Sequence, residues 1–212
     1  MNISRTRIKI CGITRQEDAL AAIGFGADAL GLVFVQASPR YVSIEQAQEL
    51  VKPLPAFISK VGLFVNASSA EVSNVINNVA LDYLQFHGEE EETFCTQFSK
   101  PYIKAIRLKP ETDLLEIISK FKSAAAILID AWHPDIAGGT GKTFEWSLLN
   151  ELPKENIPVI ILAGGLNQEN VNSAVHLIRP YAVDVSTGVE DSPGIKSAEK
   201  IRKFVTEVNR GE

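Results

Sequence analysis

The stretch RIKICGIT, residues 7–14, joins a strand-like run to a turn that holds a single glycine. In an open doubly wound sheet this first strand-to-helix turn carries the phosphate fingerprint G-x-G-x-x-G, whose glycines let the backbone close on a pyrophosphate. CGIT has only Gly12, so the architecture is read from how the pattern continues along the chain. Residues two apart share a face of a strand. Ile8 and Ile10 therefore make one side of RIKIC, and Lys9 and Cys11 the other.

Downstream, short β-branched runs alternate with longer amphipathic stretches, the pattern of βα units around a parallel sheet. The strand candidates are residues 7–11, 29–34, 58–65, 82–86, 102–107, 125–130, 158–163 and 182–186. Helix candidates lie near 15–25, 44–52, 68–79, 89–98, 112–121, 144–150, 167–178 and 195–208. Eight such units predict an α/β fold, a (β/α)8 TIM barrel spanning 1–212 as one domain. Thr14 with Glu17, and Ser68 with Glu71, have the spacing of helix capping boxes. No linker or low-complexity tract breaks the alternation.

Composition narrows the class of function. The 212 residues are 45% hydrophobic and 22% charged, enough to bury a sizeable core. The formal charge is −5, with lysines and arginines dispersed rather than blocked, which argues against a nucleic-acid surface. Cys11 and Cys95 have no CxxC spacing, and there are only three histidines, so neither a zinc cluster nor a disulfide framework is expected. The start MNISRTRIKICG lacks a signal-type apolar region, and no run is long enough to span a membrane. A soluble, cytoplasmic protein is expected. The helix exteriors show no large apolar stripe distinct from core packing, which leaves a monomer and a homodimer both open.

AGGTGKT, residues 137–143, imitates a nucleotide-binding loop and fails its test. A P-loop needs a glycine five positions before its Gly-Lys-Ser/Thr, so that backbone amides ring the phosphates. Ile136 stands there, and the loop WHPDI separates AGGTGKT from its strand. A glycine-rich loop behind an acidic strand end calls for another explanation.

In barrels of this kind the active site lies at the C-terminal ends of the strands. Here those ends carry Cys11-Gly12, the loop QASPR with Arg40, His87-Gly88, Asp130, AGGLN and STG. Gly164, Gly165 and Gly188 follow strands seven and eight, where many barrels bind phosphate through backbone amides; the alternative is that they serve tight turns. Ile8 and Ile10 should face the helix ring, which turns Lys9 and Cys11 inward. A buried lysine needs an ionic partner, and Asp184 on the neighbouring eighth strand is the expected one. By position alone, a lone cysteine is more often a small buried hydrophobe than a catalyst. At an ordinary thiol pKa of about 8.5, roughly 3% is ionised at pH 7, a fraction that a cation such as Lys9 would raise. Asp130 ends an apolar strand in a glycine-rich mouth, where its alternatives are chemistry and capping of loop amides. Arg40 could equally be solvated surface, and His87 a satisfied turn histidine. Cys95 and His176 read as structural; His133 is undecided.

Taken together, KICGIT, SPRYVS, VGLFVN, QFHG, AGGTGKTFEW, LAGGLNQENV and DVSTGVE resemble the phosphoribosylanthranilate isomerase family of tryptophan biosynthesis, in order and over almost the whole chain. Each motif is weak alone; the ordered set is specific. The resemblance implies a (β/α)8 barrel that performs an Amadori rearrangement of N-(5'-phosphoribosyl)anthranilate, a phosphorylated sugar-anthranilate, without metal or organic cofactor. It implies Asp130 as general acid opening the furanose ring and Cys11 as general base at C2'. Arg40 would hold the anthranilate carboxylate, His87 would support, and Gly164, Gly165 and Gly188 would bind phosphate. AGGTGKT would then be a loop that folds over the substrate, with Phe144 and Trp146 anchoring the helix behind it. Gln168 stands where the family often has proline, which alters the helix start but not the amides. The rivals are the histidine-pathway isomerase, which uses two aspartates where this chain has a cysteine on strand one, and a non-catalytic phosphate-ligand module.

Overall fold

The face alternation of RIKIC is realised in a computed structural model, which describes residues 5–108, 113–130, 149 and 157–211. Eight strands close into a barrel in chain order. They are β1 (Arg7–Cys11), β2 (Ala29–Val33), β3 (Ser59–Phe64), β4 (Tyr83–Phe86), β5 (Tyr102–Arg107), β6 (Ala126–Asp130), β7 (Val159–Ala163) and β8 (Ala182–Val185). Every neighbouring pair is parallel, including β8 with β1. The expected strand ends fall within two residues of these.

Two apolar layers result from the alternation. Ile8 and Ile10 belong to the larger cluster between strands and helices, at 1% and 0% exposure. A smaller cluster fills the barrel interior with Val61, Ile103, Ala105, Ala126, Leu128, Ile161, Ala163 and Ala182. Small side chains dominate there because eight strands leave little room inside.

The helices are α1 (Gln16–Phe25), α2 (Ile44–Val51), α3 (Ser69–Asn78), α4 (Glu92–Cys95), α5 (Leu114–Lys120), α6 (Val171–Ile178) and α7 (Ala198–Arg210) among the described residues. α1 stops at Gly26, whose left-handed φ of 108° lets its amide turn back to the Ala22 and Ile23 carbonyls. Ser68 and Glu71 form the expected capping box on α3, and Ser43 with Gln46 forms a second on α2. Thr14 does not cap α1: Arg15 occupies the N-cap without a side-chain cap bond, and the Thr14 hydroxyl donates to the Gly194 carbonyl instead. The helix expected over 89–98 is one turn long. Glu91 is extended, and the Glu90 carboxylate turns inward to Lys104, which withdraws the segment's start from helical geometry.

One element lay outside the sequence reading. After β8, a 3-10 turn (Thr187–Val189) leads into an antiparallel hairpin of β9 (Glu190–Ser192) and β10 (Ile195–Lys196). It docks on α1, where the Asp18 carboxylate accepts from the Lys196 amide at 3.0 Å. The loop AGGTGKT, with His133, Phe144 and Trp146, lies outside the described residues; of the helix expected over 144–150, Leu149 is helical and buried. Among the described residues, no helix is long and apolar enough to cross a membrane.

Candidate active site

Because all eight strands run parallel, their C-terminal ends surround one mouth. A cavity of about 710 Å³ opens there, lined by Cys11, Arg40, His87, Asp130, Gly164, Gly165 and Gly188 together with Gln85, Arg107, Asp184 and Ser186. That volume suits a small ligand. All seven expected site residues are therefore brought to one place.

On β1, Lys9 and Cys11 point inward and are 3% and 5% exposed. Lys9 stands opposite Asp184 in the β1–β8 register, and its ammonium lies 2.9 Å from Asp184 Oδ1, the expected pair. Burial pulls the Lys9 ammonium down, but Asp184 and the neighbouring Cys11 outweigh it and hold the pKa above its ordinary value. Cys11 departs from expectation. Burial pushes its thiol up, and the opposing influence of Lys9 does not compensate, in part because Asp184 acts in the same direction as burial. The expected activation by Lys9 is thus overridden by dehydration of the thiolate. Room for the sulfur comes from Gly31, its register partner on β2: a Cβ added there would lie 2.7 Å from Sγ.

Across the mouth, Asp130 ends β6 and His87 follows β4. The His87 Nε2 is 3.4 Å from Asp130 Oδ2, with side chains 17% and 24% exposed. The other ring nitrogen, Nδ1, is 3.2 Å from the Gln85 amide nitrogen. Asp130 also stands opposite Arg107 in the β5–β6 register.

Arg40, in the loop after β2, is not solvated surface. Its Nε and Nη2 donate to both oxygens of Glu190 at 2.8 and 2.6 Å, the two-pronged geometry that fixes a guanidinium plane. Lys196 donates to the same carboxylate at 2.8 Å and to the Ser186 carbonyl at 3.2 Å. Burial pushes Glu190 up, yet Arg40 and Lys196 outweigh it and hold its pKa below the ordinary value. Burial lowers Lys196 despite Glu190. Two cationic side chains thus share one carboxylate beside the cavity.

The glycine loops meet at the remaining side. Gly164 and Gly165 take successive left-handed conformations, φ 85° and 66°, which turn the chain sharply toward α6. Asn170 buttresses the turn, its side-chain amide donating to the Gly165 carbonyl and its oxygen accepting from the Asn167 amide, both at 2.9 Å. Gly188 permits the closest approach: a Cβ there would sit 2.0 Å from the Leu166 carbonyl oxygen.

Sequence reasoning missed Gln85, Asn170, Glu190 and Lys196. Glu190 stood in the quoted DVSTGVE, but a lone glutamate beyond a strand carries no mark of burial; its contacts with Arg40, 150 residues earlier, and with Lys196 across the hairpin appear only in the fold.

Comparisons with known proteins agree with one another. The family model described as N-(5'-phosphoribosyl)anthranilate (PRA) isomerase matches residues 8–207. A relative from Pseudomonas paraeruginosa, N-(5'-phosphoribosyl)anthranilate isomerase, is 52% identical over 202 residues, covering 95% of this chain and 94% of its own. The crystal structure of phosphoribosyl anthranilate isomerase from Thermotoga maritima superposes with a TM-score of 0.87 at 42% identity, over 96% of this chain and 98% of that one. A structure of the isomerase in complex with reduced 1-(o-carboxyphenylamino)-1-deoxyribulose 5-phosphate superposes with a TM-score of 0.85 at 38% identity, with the same coverage of each.

Proposed function

Given that this chain belongs to the N-(5'-phosphoribosyl)anthranilate isomerase family, we propose that its rearrangement runs between Asp130 as general acid and Cys11 as general base. The chain is an isomerase of tryptophan biosynthesis, which converts N-(5'-phosphoribosyl)anthranilate into 1-(o-carboxyphenylamino)-1-deoxyribulose 5-phosphate. The observation that carries the residue assignment is that Cys11 and Asp130, from separate strands, line one cavity between an arginine and paired glycine loops.

The chemistry divides accordingly. Asp130 gives its proton to the furanose ring oxygen as the bond from that oxygen to C1' breaks, leaving an open-chain Schiff base. The Cys11 thiolate then takes the proton from C2', and the electron pair moves to form an enolamine, which tautomerises to the ketone. The substrate is anionic at both ends, and the two anion sites match: Arg40 for the anthranilate carboxylate, the amides of the Gly164-Gly165 and Gly188 loops for phosphate. Glu190 holds the Arg40 plane through Nε and Nη2. The raised thiol is consistent with a base that is mostly protonated before substrate enters. We read the chain as a single barrel domain acting in the cytoplasm.

The test is turnover of phosphoribosylanthranilate by the purified chain in the presence of a chelator, followed by loss of anthranilate fluorescence. Asp130→Asn and Cys11→Ala should each lower kcat by roughly 10²- to 10⁴-fold, the range for a general acid or base. Wild-type turnover in either variant removes that residue from its role.

A further inference from the structure

Gln85 is fully buried on β4, on the same strand face as His87 two residues on. Leu63 and Ile103 flank it in register. Among the described residues, its Oε1 is a buried oxygen without a hydrogen-bond partner. An amide left half-unpaired in a buried position is costly, and both of its register partners are apolar. The paired end of the amide explains its presence. Gln85 Nε2 lies 3.2 Å from His87 Nδ1, and His87 Nε2 lies 3.4 Å from Asp130 Oδ2.

We infer that Gln85 is a positioning residue that fixes His87 as the neutral Nε2–H tautomer and thereby stops the imidazole from taking the Asp130 proton. An amide N–H can only donate, so the Nδ1 that receives it bears no hydrogen, and a neutral ring then carries its hydrogen on Nε2. Neither ring nitrogen has a lone pair to spare: Nδ1 has given its pair to Gln85, and Nε2 bears a hydrogen facing Asp130. A protonated Asp130 beside a bare Nε2 would pass its proton to the ring. Beside Nε2–H it keeps that proton for the substrate's ring oxygen, and once the proton has gone, the same Nε2–H donates to the carboxylate left behind. The opposite amide orientation would set Oε1 on an Nδ1–H and turn a bare Nε2 toward Asp130. The inference rests on the reading of Asp130 as the acid.

The experiment is nitrogen NMR of the full chain labelled with ¹⁵N-histidine, with kcat and KM measured on the same samples. Only three histidines contribute, and His87→Gln identifies the signal. Near neutral pH the wild-type ring should show a bare, pyridine-type Nδ1 and a pyrrole-type Nε2. Gln85→Leu should shift His87 to mixed tautomers or imidazolium. It should also lower kcat by something like 10- to 100-fold, the cost of losing a partner that orients a metal-bound imidazole, with KM little changed. A wild-type ring protonated at Nδ1 overturns the inference, and that reading requires no variant to fold. A Leu variant with the wild-type tautomer also overturns it, and a shifted tautomer with wild-type kcat overturns the proton-holding role. Asp130→Asn measured alongside separates the underlying reading, since wild-type turnover there removes the acid whatever the tautomer.

Discussion

Replacing Lys9 by methionine keeps an unbranched apolar stem in the barrel but strands the Asp184 carboxylate, which is 8% exposed. At the observed 2.9 Å, two unit charges attract by about 6 kcal/mol at an effective dielectric near 20. Part of that offsets the cost of bringing both charges out of water, and losing one partner of a buried pair costs about 3–5 kcal/mol. For a chain of this length the loss corresponds to a Tm lower by about 6–20 °C, read by circular dichroism on heating. Lys9→Met/Asp184→Asn removes the stranded charge and should recover most of the loss. The pH dependence has a defined sign. The Lys9 pKa is raised above its ordinary 10.5, so the pair's contribution is fully present below that value and is lost as pH climbs through the folded-state pKa. The gap between wild type and Lys9→Met should therefore hold steady from neutral pH to the ordinary lysine value and close only in stronger alkali. A Tm drop under about 3 °C, or a double variant as unstable as the single, would refute the reasoning.

With burial pushing the Cys11 thiol up, kcat/KM should still be rising past about pH 8.5; a profile already flat at pH 7 would show that the thiolate of the free enzyme is not the base. Arg40→Ala should act chiefly on KM, and Arg40→Lys should rescue little, because an ammonium cannot reproduce the two-pronged bond to Glu190; an effect confined to kcat would contradict a binding role. Gly188→Ala forces a Cβ against the Leu166 carbonyl, and the backbone shift, worth about 1–3 kcal/mol, should raise KM for the phosphorylated substrate. An unchanged KM would take that loop out of phosphate binding.

The barrel was legible because its signal is repeated: each strand carries its own alternation, and eight consistent repeats tolerate local ambiguity. Lys9 and Asp184 were legible as a pair for the same reason, since closure of eight strands makes β8 the neighbour of β1. What failed depended on contacts without a period. Glu90 looks like the first turn of an exposed helix, yet its carboxylate gathers the Asn66 and Gly88 amides and the Lys104 ammonium. Thr14 has a capping spacing, but a hairpin arriving 180 residues later takes its hydroxyl. Cys11 was read from its nearest charge alone, whereas its titration is set first by burial.

Arg40 is oriented by a carboxylate 150 residues further on, and Lys9 by one 175 residues further on. Contacts of such separation should form late, because the loop they close is entropically expensive until the intervening units are in place. During synthesis, the first six strands can emerge and pair without a competent mouth, and substrate has no complete site through which to stabilise them. In refolding, recovery of turnover should accordingly track the step that joins β8 to β1, lagging behind the return of helical signal.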